Sequence, residues 1–441
     1  MKKNFFSSSI LLSILPVLFF VLGCISLIKS SPALYEIDTD YLISLFLITA
    51  LGSYLFLKNM VSVFISFLCT VNTLIAVLFF IDLFQLEYSV FTAAAILVSL
   101  FFSVFLNTML LCGINRYKKP SEGALPAVEK TLTMHFYTIM LSLGGVSLLS
   151  LPAFYQNEHV FFPHFTTVLI SGSASAVINA VMLLPLLANC WMGSVNEERM
   201  QDDLEHSFSE KAVLQLNRSI EKAVGLLAWV ISPVVDYKPA CWLITLFTAL
   251  SIACMGAVKF ENNLSLGNSQ GNSLIILPIV YFLVVVLRYE SYALAFAAVF
   301  STLLNYFLLD ALCQAFLSES EILKEICFYG SLIVSFIGTY LQTDMAFRCS
   351  KNNAVQPGTL LGSLSKTVYV VFVSMAAAVL FMVMSLYLSG TPDLKALLRA
   401  AVITSSSIIL LLPVPAYLSV FLSLQELLLR KRKKKINSIY L

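Results

Sequence analysis

The residues of this 441-residue chain that could do chemistry are few, and most stand in apolar surroundings. Within the long apolar run Leu97–Lys119 (LVSLFFSVFLNTMLLCGINRYKK) one amide, Asn107, stands near the middle and a basic cluster closes the end. A carboxylate at such a depth would exchange protons, whereas an amide does not titrate near neutral pH. The carboxylates lie elsewhere: Asp82, Glu87 and Asp310 near one end of their apolar runs, Glu290 and Asp344 near the other. Asp344 is the deepest of them, beside Gln342 and Thr343, and is the candidate ion or proton site. Its competing reading is a helix-end partner of Arg348 at i,i+4. Nine cysteines are scattered without a CxxC pair, so neither a disulfide framework nor a metal site is expected. His135, His159 and His164 read as solvated or near-loop histidines rather than a pH sensor. Asn72, Asn179 and Asn305 read as packing contacts between helices. No Ser-His-Asp order, phosphate loop or carboxylate pair has usable spacing. An enzyme is not expected, and no cofactor is implied.

These residues need a scaffold, and composition names it. The chain is 59% hydrophobic and 12% charged. Soluble domains carry about 25% charged residues, so lipid must cover much of this surface. Hydropathy over a window of about 19 residues gives twelve spans: 9–28, 41–57, 61–81, 89–113, 131–152, 164–188, 239–258, 273–288, 292–315, 321–345, 367–389 and 397–421. Each must be helical, because lipid leaves exposed backbone unsatisfied. With both termini in the cytoplasm, 22 of 27 basic residues fall inside, including the tail Arg430–Lys435. The outer loops are acidic or neutral, as the positive-inside rule requires. The first run ends Val21-Leu22-Gly23-Cys24, a faint lipoprotein cleavage box, but its length suits a span better than a signal core.

The expected fold is therefore an all-α polytopic membrane protein of about twelve helices, N-in and C-in. Residues 1–190 form a first six-helix repeat. Residues 191–238 hold an amphipathic cytoplasmic helix, lying on the membrane or docked on a soluble partner. Residues 239–441 form a second six-helix repeat with a basic tail. The repeat shows as self-similarity at an offset of 232: Ser99 over Ser331, Ser103 over Ser335, Asn107 over Thr339, Arg116 over Arg348 and Lys119 over Lys351. Around Pro185 and Pro413 the offset is slightly shorter. Two parallel bundles about an axis along the membrane normal are implied.

In the order of these features the chain resembles the resistance-nodulation-division (RND) superfamily. The residues that carry the resemblance are the first-span exit GCISLIKSSPALYEID, the tight helix pair around Lys58, and Arg116, Gly123 and Glu129 after the fourth span. LLPLLANC at the sixth span and the amphipathic approach to the seventh add to it. Driven members of that superfamily carry one or two aspartates mid-membrane in the fourth helix and a charged partner in the tenth. Aligned through Gly123 and Met134, those places fall on Leu106, Asn107 and, in the tenth, Thr339: a degenerate relay. The resemblance leaves Asn107 two roles, a hydrogen bond to Thr339, Ser335 or Tyr340, or one to a neighbouring backbone carbonyl.

Family transporters also insert large extracytoplasmic domains after the first and seventh helices. Here only Lys29–Asp40 and Lys259–Asn272 stand there, too short for a folded domain. What the resemblance implies is a permease, an efflux or leaflet-to-leaflet mover of a lipid or amphiphile, in a bacterial inner membrane. The alternative is a motor-less scaffold or lipid-sensing subunit. Expected partners are membrane lipids, a protein supplying extracytoplasmic domains in trans, or further copies of the chain. Nucleic acid is not expected.

Overall fold

The computed structural model describes residues 60–86, 90–118, 124–154, 161–192, 237–265, 270–317, 321–351 and 413–439, with isolated positions elsewhere. The first two spans, the span 367–389, most of the linker 193–236 and Gly123 lie outside the described residues, as do most of 397–410. Among the described residues every regular element is helical and none is a strand. In chain order they are α1 (Met60–Leu83), α2 (Val90–Tyr117), α3 (Ala124–Phe154), α4 (Phe161–Ile178) and α5 (Leu184–Met192). A single π turn, Asn179–Leu183, joins α4 to α5. Then come α6 (Lys238–Ser265), α7 (Gln270–Tyr289), α8 (Tyr292–Phe316), α9 (Glu321–Lys351) and α10 (Val414–Ile439). The predicted fourth and tenth spans are α2 and α9.

Among the described residues five segments are long and apolar enough to cross a membrane: Met60–Leu83, Ala95–Tyr117, His164–Met192, Pro239–Ala257 and Tyr292–Phe316. The chain divides into two compact units. One holds residues 1–220, 313–333 and 370–405, the other residues 221–312, 334–369 and 406–441.

In the first unit α2 is the centre. Its most apolar window is 89% buried, and it packs most extensively on α4, then on α1 and α3. Small residues permit this closeness. A Cβ added to Gly172 of α4 would collide with the Ser99 side chain of α2, and one added to Gly113 would stand 2.6 Å from Cγ2 of Thr131 on α3. The α1 residues Ser62, Ser66, Thr70 and Thr73 recur every three or four positions, so they share one face, and all are buried. In the second unit α6 is the opposite of α2, with only 17% of its window buried and Leu243, Leu246, Phe247 and Leu250 exposed. A packed stripe sets Cys241 and Ile244 against Ala416, Val420 and Leu424 of α10.

The helix ends are closed by local chemistry. After α1 the amide of Leu86 bonds the carbonyl of Ile81 and that of Gln85 bonds Asp82, with Gln85 at φ 50°. This is the Schellman arrangement, filled here by a non-glycine residue in the left-handed region. After α7, Glu290 takes φ 51° and its amide bonds Val286 at 2.8 Å. Ser291 then caps α8, its Oγ accepting from the amide of Leu294. The same hydroxyl donates to Oε1 of Gln425 at 2.9 Å.

Two expectations need correction, and one helix extends farther than its apolar run. The seventh span does not stop near 258: α6 runs on through Lys259 and Glu261 to Ser265, and α7 starts at Gln270. Lys and Glu are good helix formers, and their polarity marks the edge of the apolar layer rather than the end of a helix. The twelfth span is not one uninterrupted helix, because Leu411 and Pro413 are turn residues before α10 begins. Finally, the basic tail Arg430–Lys435 is the helical continuation of α10.

Candidate functional site

Leu106 and Asn107 stand mid-helix in α2, both fully buried. The amide nitrogen of Asn107 lies 3.4 Å from the Ser66 carbonyl, 3.4 Å from Thr70 Oγ1 and 3.3 Å from Ser103 Oγ. Ser103 meets Thr73 at 3.1 Å. Thr73 in turn accepts at 2.9 Å from Nδ2 of Asn179, which opens the π turn. Asn72 donates to Oδ1 of Asn179 at 2.7 Å. One polar network thus ties α1, α2 and the end of α4 together. Its members are amides, hydroxyls and carbonyls, with no titratable side chain among them.

The π turn has a local reason. Asn179 Nδ2 also reaches the Cys69 carbonyl at 3.4 Å, and the extra residue of a π turn aims that side chain at α1. Pro185, two residues beyond the turn, lacks an N–H for the ladder, which suits a break there.

In the second unit Thr339 is buried and shares a hydrogen bond with Ser301 of α8 at 3.1 Å. Ser335 accepts from Nδ2 of Asn305. Gln342 donates to the carbonyl of Leu411 at 3.3 Å, the backbone group that stands at the interruption before α10. Thus Asn107 bonds Ser66, Thr70 and Ser103, while Thr339 and Ser335 bond α8.

Asp344 lies one turn farther along α9 and is 7% exposed. The hydroxyl of Tyr289 donates to its Oδ1 at 3.0 Å. The Tyr289 ring lies 5.9 Å from that of Tyr340 and 4.9 Å from that of Phe347, and the Arg288 guanidinium stands 5.8 Å from the Tyr289 ring centre. The side chain of Arg348, the i,i+4 partner expected from sequence, lies outside the described residues. Among the described residues no group of three His, Cys, Asp or Glu could hold a metal ion.

The α1 residues Ser66, Thr70 and Thr73 were not among the sequence candidates. Their signal was present as a small polar stripe at helical spacing inside an apolar run, which in a membrane helix marks a helix contact.

Compared with solved structures, the chain resembles SecDF. Against SecDF in its super-membrane-facing form the TM-score is 0.55 at 12% identity, over 89% of this chain and 62% of that one. Against SecDF from Thermus thermophilus, described as a translocon-associated membrane protein, it is 0.52 at 14% identity, over 90% and 63%. The chain therefore spans less than two thirds of the length of these neighbours. Identities this low show the fold alone, a SecDF-like helical fold. No protein-family model and no curated protein matches the sequence.

Proposed function

We propose that this chain is an RND-type permease of a bacterial inner membrane that moves a lipid or amphiphile without the aspartate relay of driven relatives. The observation that carries this reading is the Asn107 site. At the depth where the resemblance expects exchangeable carboxylates, a fully buried amide spends its protons on Ser66, Thr70 and Ser103. Such a node holds helices together and carries no proton. An amphiphile enters sideways from the bilayer, so a chain without large extracytoplasmic domains still has access to it. The energy then comes from the substrate's own gradient, from a partner, or from Asp344.

The test is reconstitution into liposomes with a fluorescent phospholipid, with and without an imposed pH gradient. Movement independent of the gradient is expected. Movement that requires the gradient and vanishes in Asp344→Asn would replace this reading with a relocated relay.

A second reading is a motor-less subunit of an inner-membrane complex. It is favoured by the translocon-associated neighbour and by the share of that neighbour's length this chain spans. Native mass spectrometry of the gently extracted protein separates the two. A co-purifying protein with a large extracytoplasmic domain supports the subunit; its absence, with lipid movement in liposomes, supports the permease.

A further inference from the structure

The proton directions in the first unit can be worked out in full. Thr70 sends its hydroxyl proton to the Ser66 carbonyl at 2.8 Å, and Thr73 sends its own to the Cys69 carbonyl at 2.9 Å. Both oxygens are then acceptors only. Ser103 must donate to Thr73, and Asn179 must turn its NH₂ toward Thr73. Asn107, facing Thr70 and Ser103, must likewise present its NH₂ to them. A flip of this amide would set its oxygen against two hydroxyls whose protons are already committed. The orientation of Asn107 is thereby fixed, and its Oδ1 is left with no partner.

Ser66 Oγ is unpartnered as well, and both residues have no exposed surface. The two lie side by side, since Asn107 reaches the Ser66 carbonyl. A buried carbonyl oxygen and hydroxyl left bare would each cost about 1–3 kcal/mol. Native interiors fill such places with an ordered water where polar partners converge.

We infer that Asn107 Oδ1 and the Ser66 hydroxyl form a binding site for one buried water, which donates to Asn107 and completes the network between α1 and α2. A water suits the site for two reasons. The orphaned carbonyl oxygen needs a donor, and the unpartnered Ser66 hydroxyl can pair with the same molecule. The inference does not depend on what the chain transports.

The test turns on a sign. Ser66→Ala removes a hydroxyl that makes no bond to protein. If the space is dry, the variant loses only an unsatisfied polar group, and the thermal midpoint of the full-length protein in lipid nanodiscs is unchanged or rises. If the water is present, the variant strips it of a partner, and the midpoint falls by about 2–4 °C. A cryo-EM map of the wild-type chain in the same nanodiscs, at a resolution that shows ordered solvent, is the second measurement. It is expected to show density within hydrogen-bond distance of both atoms, lost in Ser66→Ala. A stabilised Ser66→Ala variant, or a map with the Ser66 hydroxyl turned onto Asn107 and no solvent peak, would overturn the inference.

Discussion

Thr73 and Ser103 in the first unit, and Asn305 and Ser335 in the second, are the same contact made twice. Each pair joins consecutive helices, each is 30 residues apart in sequence, and the two pairs are separated by 232 residues. The helix starts agree, Met60 with Tyr292 and Val90 within one residue of Glu321 at that offset. So does the far end of the helix pair: Asn115 bonds the Leu57 carbonyl, and the Phe347 and Tyr289 rings touch at matching places. The irregularities correspond too, α5 and α10 both starting beyond a break, with Pro185 and Pro415 second in line. Two regions thus keep the positions of their helix pins while exchanging the chemistry: hydroxyl for amide, amide for aromatic ring. Spacing is set by the backbone of two packed helices and tolerates little change, whereas any short donor–acceptor pair satisfies a pin. The deep carboxylate, Asp344, matches Cys112 in the first unit, so the acid was not required by the packing.

The comparison can be broken at its tightest contacts first. Gly172 and Gly338 both stand at close contacts, but against different atoms. Gly172 faces the short, stiff Ser99, and Gly338 the flexible end of Leu411. Gly172→Leu is expected to cost about 3 kcal/mol or more by overpacking, read as loss of folded protein on thermal challenge. Gly338→Ala should cost less than Gly172→Ala, because a leucine tip can turn aside. Equal costs would mean the two contacts are equally rigid.

Next is the acid. Tyr289→Phe removes the donor to the buried Asp344 Oδ1 and is expected to cost about 1–3 kcal/mol, as for a buried acceptor that loses its partner. Chemical unfolding in mild detergent would measure it, and a null effect would show that Asp344 is held by its other neighbours. Asn107→Leu, losing three long donor contacts, should cost about 1–2 kcal/mol, against about 0.6 kcal/mol for Thr339→Val. The smallest effects sharpen the comparison most. Double-mutant cycles on Thr73/Ser103 and on Asn305/Ser335 should each give a coupling near 0.6 kcal/mol. A coupling in only one unit would show that the shared spacing no longer carries a shared contact.

Much of the fold was written in the apolar runs. Length and hydropathy located α1, α2, α4, α6 and α8 because lipid forces any such run into a helix. The 232-residue offset was readable since Ser99, Ser103, Arg116 and their counterparts keep both type and place. Helix extension past the apolar layer was not readable, because Lys259 and Glu261 look like loop residues to a hydropathy window and suit a helix equally well. Nor did periodicity name the partners of Asn107. Its own helix face was clear, but which helix meets that face is decided by packing over distant sequence. The π turn at Asn179 had only Pro185 to hint at it, since an inserted residue in a helix needs no special side chain.

The turns at Leu411 and Pro413 make α10 a lever. From Val414 to Ile439 the helix runs 26 residues, or about 39 Å at 1.5 Å per residue. Its apolar portion ends at Gln425, and the basic run rides on the far arm. Geometry alone makes the arm an amplifier: a pivot of about 10° at the break carries its tip sideways by about 7 Å, given that length. A small rearrangement inside the membrane would thereby be written large at the C-terminus, where a single fluorophore could read it.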